Sequence, residues 1–262
     1  MDPLTFVIIA LVGVGVGVLS GLFGIGGGVV IVPVLNLCFG LPISVATATS
    51  LFTIIPTSIS GLVKHYRNHS TNLRFGAILG LAGACTSPLG VYLNEISPDF
   101  VVTIVAGLVI TLAAVRMLMK GKKRQSGKVA DGRALRIDLR TVLCALLIGA
   151  VAGVLSGYVG VGGGFIMVPL MIALMAFPLS YAAGTSLMAV AILAVPGAVA
   201  QGMYGNIDYL YGIVLACGSI PGAQLGAWAG TKLPEKALRI AFGCLLIAAG
   251  LLMVGKGLIV HG

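Results

Sequence analysis

The string "SGLFGIGGGVVIVP" at residues 20–33 returns as "SGYVGVGGGFIMVP" at residues 156–169, and the offset between the copies, 136 positions, holds without a gap well beyond them. Val18-Leu19-Ser20-Gly21 aligns with Val154-Leu155-Ser156-Gly157, Pro42 with Pro178, and Thr49-Ser50-Leu51 with Thr185-Ser186-Leu187. Further on, Leu89-Gly90 aligns with Leu225-Gly226 and Pro98 with Pro234. A fixed internal period of this kind means that one supersecondary unit occurs twice, so the chain must fold as two related halves. Each copy of the string also breaks an apolar run. Glycine costs a helix about 1 kcal/mol per residue relative to alanine, and an interior proline about 3. A break placed identically in both halves implies a use for non-helical backbone there.

The apolar runs set the class. They fall at roughly 4–20, 28–39, 44–63, 74–93 and 99–119 in the first half, and 140–156, 164–177, 180–200, 208–230 and 235–256 in the second. Runs of about 20 residues suffice to cross a bilayer core of about 30 Å; the first two of each half are short and flank the glycine cluster. Only 9% of the 262 residues are charged, against roughly 25% in soluble domains. The chain is predicted to be an all-α polytopic membrane protein with the lipid bilayer as its main partner.

The net charge of +9 does not point to nucleic acid, because nine of the sixteen Lys and Arg lie between Arg116 and Arg140; with Asp131 and Asp138 that window carries +7. No zinc-finger spacing or RNA-binding motif accompanies it. A basic stretch between apolar segments reads as a cytoplasmic loop under the positive-inside rule, within reach of anionic headgroups. Residues 1–115 are therefore expected to form a first membrane repeat, 116–140 a basic cytoplasmic linker and 141–262 a second membrane repeat. The loops at 64–74 and 231–239 are also basic and read as cytoplasmic, whereas 94–99 is acidic and 201–208 lacks Lys and Arg, so both read as external. Equivalent loops fall on opposite sides, which predicts two inverted-topology repeats, each a glycine-broken helix pair plus three full spanning helices. The broken pair must enter and leave on one side, as a re-entrant hairpin or as two short crossings. Both termini come out external, and "MDPLTF" lacks the basic n-region of a cleavable signal peptide.

Inverted-repeat transporters place their sites near the midplane, where discontinuous helices meet. Gly26, Gly27 and Gly28 stand just before one short apolar segment, and Gly162, Gly163 and Gly164 before the other. The first N–H groups of such a segment lack helical partners and carry the positive end of the helix dipole, which an anion satisfies. Thr49-Ser50 and Thr185-Ser186, kept in both halves, are the best side-chain donors; Asn36, Gln201 and Gln224 are weaker ones. Gly13, Gly15, Gly17 and Gly21 read as helix-packing glycines. Lys64, His65 and Arg67 close the third segment and read as a solvated loop face, with His65 the one histidine near a pathway. All seven acids fall in loops or at segment ends. An intramembrane carboxylate is the usual mark of a cation or proton site, so the substrate is expected to be an anion, with a coupling proton or ion left open. The cysteines at 38, 85, 144, 217 and 244 stand singly, giving no zinc or redox motif, and no H-E-x-x-H suggests an enzyme. No cofactor or metal is expected.

A duplicated SGxxGxGGGxxxVP string, a following TSL in each half and a basic loop between the halves resemble the sulfite exporter TauE/SafE family of membrane permeases. The resemblance implies a bacterial cytoplasmic-membrane protein moving sulfite, thiosulfate or an organosulfonate. It leaves open the individual compound, the direction, a passive anion channel in place of a carrier, a non-sulfur anion, and assembly as a homodimer.

Overall fold

The computed structural model describes residues 3–119, 139–175 and 177–230, with parts of 232–255. Nine helices are complete among them: α1 (Pro3–Phe23), α2 (Gly28–Leu37), α3 (Ile43–Arg67), α4 (Leu73–Ile96), α5 (Asp99–Met119), α6 (Leu139–Val159), α7 (Gly164–Met175), α8 (Leu179–Met203) and α9 (Tyr209–Gly230). Each expected segment reappears within a few residues, except 235–256, half of which lies outside the described residues together with the linker core, 120–138. The described residues form no strand. Six of the helices are long and apolar enough to cross a membrane. Large apolar side chains point outward along them, such as Leu81 and Leu147 at 60% and 67% exposure, as lipid-facing surface requires. The protein is an all-helical polytopic membrane protein.

Small residues decide which helices touch. Along α1, Gly13, Gly17 and Gly21 meet Leu215, Ser219 and Ala223 of α9 in the same order. A methyl group on any of the three would collide with backbone of α9. The equivalent seam joins α6 to α4, where Gly149, Gly153 and Gly157 meet Leu79, Gly83 and Ser87. Gly15 does not take part: it is exposed and has nothing within 4 Å of a Cβ built on it. Two residues from Gly13 and Gly17, it projects from the far side of α1, which corrects its reading as a packing glycine.

These seams cross the halves, since α1 binds a second-half helix and α6 a first-half one. The long helices α3 and α8 lie between them. Leu51 of α3 lies near Gly197 of α8, and Gly61 near Leu187, so the pair is antiparallel. Thr53, Thr57 and Ser60 of α3 meet Gly212, Ser219 and Ile220 of α9 in the same order. Gly76 and Gly80 of α4 likewise meet Thr185 and Ala189 of α8. Helices α1, α3 and α9 therefore run one way and α4, α6 and α8 the other. Lys64, Arg67 and Arg74 collect at the end where α3 finishes, as does Lys232, which stacks 3.9 Å from the Trp228 ring centroid. Glu95, Asp99 and Asp208 lie at the opposite end, where Glu95 accepts a hydrogen bond from Asn206 at 2.9 Å.

Candidate functional site

Helix α1 ends at Phe23 because the next residues cannot continue it. Gly24, Gly26 and Gly27 adopt φ of +73°, +74° and +93°, and Gly160, Gly162 and Gly163 after α6 adopt +73°, +83° and +67°. Glycine takes this left-handed region without the Cβ penalty that other residues meet. Helix α2 then starts at Gly28 and has 10 residues, about 15 Å of rise, while α7 starts at Gly164 and has 12, about 18 Å. Neither spans a core of about 30 Å. The broken pair is thus a spanning helix followed by a return that is part glycine turn and part half-helix, which is neither of the two forms expected.

The two turns meet at the centre of the molecule. A Cβ on Gly28 would stand 2.7 Å from Val161 Cα, and one on Gly164 2.8 Å from Ile25 Cα. Ile54 flanks both turns and Val190 flanks the first. Each is the twelfth residue of a 25-residue helix, α3 and α8. All ten residues from Gly24 to Gly28 and from Gly160 to Gly164 are buried.

Each sequence-predicted hydroxyl is tied to the other half, Ser50 and Ser186 at the central turns and Thr49 and Thr185 at the loops that precede α9 and α4. Ser50 Oγ donates to the Gly160 carbonyl at 2.8 Å, and Ser186 Oγ to the Gly24 carbonyl at 2.6 Å. Thr49 Oγ1 accepts from Asp208 N–H and Thr185 Oγ1 from Asn72 N–H, both at 3.0 Å. Every one of these contacts has its counterpart 136 positions away with the halves exchanged. Ser50→Ala combined with Ser186→Ala should therefore lower the stability of the detergent-solubilised protein by about 1 kcal/mol per lost bond. Thermal melting of the double variant against wild type checks this.

The weaker candidates fall elsewhere. Asn36 closes the end of α2 by donating to Leu41 O at 2.8 Å, and Gln224 is exposed beside Lys64 and Trp228 in a surface groove of about 480 Å³. Gln201 is buried at the acidic end, where its Oε1 accepts from Asn206 at 3.1 Å. His65 is the main correction. It is buried rather than solvated, its Nε2 lying 2.8 Å from the Gly21 carbonyl and its Nδ1 3.0 Å from Ser70 Oγ. The reason is tertiary: Gly184 of α8 packs against the histidine, where a Cβ would stand 2.9 Å from His65 Cβ, while the Gly21 carbonyl of α1 meets the imidazole.

What the turns hold free is more telling than what they bond. Among the described residues, no backbone carbonyl accepts from the N–H groups of Ile25, Gly26 and Gly27, or from those of Val161, Gly162 and Gly163. Buried N–H groups without a partner are rare in proteins. Beside them, Ser20 and Ser156, fully buried, have hydroxyls with no hydrogen bond. Ser20 Cβ lies 3.7 Å from where a Cβ of Gly27 would stand. These two serines were missed as site residues, although the signal was present: each opens its copy of the repeated string in the last turn of an apolar helix. The centre is thus a pair of facing backbone turns rich in unused donors, with no buried carboxylate among the described residues.

Broken helices meeting at the middle of a helical membrane bundle define a membrane transporter. The chain belongs to the sulfite exporter TauE/SafE family, whose model matches residues 9–253. It is similar to the probable membrane transporter protein YunE of Bacillus subtilis, 28% identical over 93% of this chain and 98% of that one. It also resembles YdhB of the same organism, 30% identical over 86% and 90%, and MJ0441 of Methanocaldococcus jannaschii, 27% identical over 91% of each, both named as probable membrane transporter proteins. No solved structure matches significantly.

Proposed function

We propose that the protein is a secondary transporter for a small sulfur-containing anion, such as sulfite, thiosulfate or an organosulfonate, working by alternating access. The single observation that carries this reading is the set of six unused, buried N–H donors on two facing turns. An anion satisfies such donors where a cation could not. The family's description supplies the sulfur chemistry. Gly26, Gly27, Gly28, Gly162, Gly163 and Gly164 are the backbone ligands in this reading. Ser50 and Ser186 hold the turns, Thr49 and Thr185 hold the loops before α9 and α4, and all four exchange partners during transport.

Opposed directions of α1 and α6, of α3 and α8, and of α4 and α9 support inverted repeats over 1–115 and 141–262. The basic end is the cytoplasmic one under the positive-inside rule, which puts the 116–140 linker on that side of a bacterial inner membrane. Direct contact of the two turns favours a carrier over a passive channel, because an anion passes between them only when the turns part.

Thermal melting of the purified protein against sulfite, thiosulfate, sulfate, taurine, sulfoacetate, acetate and chloride, at matched ionic strength, tests the substrate class. A ligand at a hundred times its Kd stabilises by about 2.7 kcal/mol. A selective rise with a sulfur oxyanion is the expected result, and a rise with acetate or chloride alone would redirect the reading to a non-sulfur anion. Uptake by proteoliposomes that saturates and accelerates with the same anion on the far side is expected of a carrier; linear flux would indicate a channel.

A further inference from the structure

The two halves are not equal at the centre. Ser58 on α3 is fully buried, and its hydroxyl makes no hydrogen bond. Its neighbours on the same helix behave as membrane hydroxyls usually do, Thr53 donating back to Thr49 O at 2.9 Å and Thr57 to Thr53 O at 2.8 Å. Ser58 is aimed at the first turn instead: its Oγ lies 3.2 Å from the place a Cβ on Gly26 would occupy. The position equivalent to Ser58 in the second half is Ala194, and the one equivalent to Thr57 is Leu193. A Cβ on Gly163 would meet that Leu193 side chain at 3.4 Å.

The first turn therefore offers the N–H groups of Ile25, Gly26 and Gly27 with two free hydroxyls, Ser20 and Ser58, whereas the second offers three N–H groups with Ser156 alone. Three unbonded backbone donors and two unbonded, fully buried side chains converge on one turn. We infer that the first turn is the primary oxyanion subsite, that Ser58 is its affinity-determining side chain, and that an anion consequently binds in one orientation, its oxygens toward Gly26. The inference rests on the anion-transporter reading above. It adds that the departure from symmetry, Ser58 on one side and Ala194 on the other, sets which end of the anion faces which half.

The test separates a ligand contact from a structural role. Because Ser58 bonds to nothing in the protein, Ser58→Ala should leave the melting temperature without anion unchanged or raised, since a buried unpaired hydroxyl is itself costly. Isothermal titration with sulfite and with sulfoacetate should then give a Kd at least about tenfold weaker than wild type, the scale of one hydrogen bond to a charged group. Ser20→Ala should weaken binding more than Ser156→Ala. An unchanged Kd in Ser58→Ala, or equal effects of the two flanking serines, would overturn the inference while leaving the anion site standing through the losses in Ser20→Ala and Ser156→Ala. A fall in the anion-free melting temperature with Kd unaltered would make Ser58 structural. A wild type that binds neither probe overturns the site and this inference together.

Discussion

Gly17→Leu is expected to eliminate folded, monodisperse protein, whereas Gly15→Leu, two residues away on the same helix, is expected to be tolerated. A Cβ at Gly17 would stand 2.8 Å from both the backbone nitrogen of Ala223 and Cα of Ser219, and it would overlap the Ser219 carbonyl. These obstacles are main chain, so no rotamer change relieves them, and the helices must separate along the seam. Overpacking into side chains costs about 1–3 kcal/mol; displacing one backbone from another also forfeits the close contact that holds membrane helices together. Gly15, with nothing within 4 Å, accepts a side chain into the surface facing lipid. Yield and elution profile of fluorescently tagged variants in mild detergent decide the matter. Equal behaviour of the two variants would remove the α1–α9 seam from its structural role.

Gly27→Val and Gly163→Val should each reduce anion flux to background without loss of the folded bundle. Their φ values, +93° and +67°, lie where a β-branched residue is strained, at a cost of about 1–3 kcal/mol per site. Steric conflict adds to this, since a Cβ at Gly27 would lie 2.6 Å from a Val16 methyl and one at Gly163 3.0 Å from the Ala152 carbonyl. The turn must rotate to relieve both, and rotation displaces the N–H groups of Gly26 and Gly27, or of Gly162 and Gly163. The seams on α9 and α4 do not depend on these residues. Proteoliposome flux together with size-exclusion elution gives the two readouts, and wild-type flux in both variants would take the turns out of the mechanism.

Much of this architecture was legible because the chain states it twice. The offset of 136 positions tells which residues are equivalent, and hydrophobic run lengths place the helices within a few residues. The turns at Gly26, Gly27, Gly162 and Gly163 were legible because three consecutive glycines, followed in each half by a proline, interrupt an apolar run at the same place. Partners across the centre were not. Nothing local tells Ser50 to seek the Gly160 carbonyl over its own helix, as Thr53 does with Thr49 O. The choice depends on how near a distant turn approaches. His65 looked solvated because two cations, Lys64 and Arg67, surround it in sequence. Its burial is decided by contacts far away along the chain, the Gly21 carbonyl and the close approach of Gly184. Ser20 and Ser156 were hidden in plain view, since an unsatisfied hydroxyl is recognised only once every neighbouring acceptor has been placed.

The crossed seams fix a schedule for assembly. Gly83 of α4 finds Gly153 of α6 after about 70 further residues of synthesis, but Gly17 of α1 must wait about 200 residues for Ser219 of α9. At about 5–20 residues per second, α1 spends roughly 10–40 s in the bilayer with its glycine stripe unpartnered. The two seams are near copies in structure yet opposites in time, one closing early within the growing chain and the other only as synthesis nears its end. A ribosome stalled before α9 would leave the nascent protein with its second seam formed and its first helix open to whatever insertion factor or stray helix presents small residues.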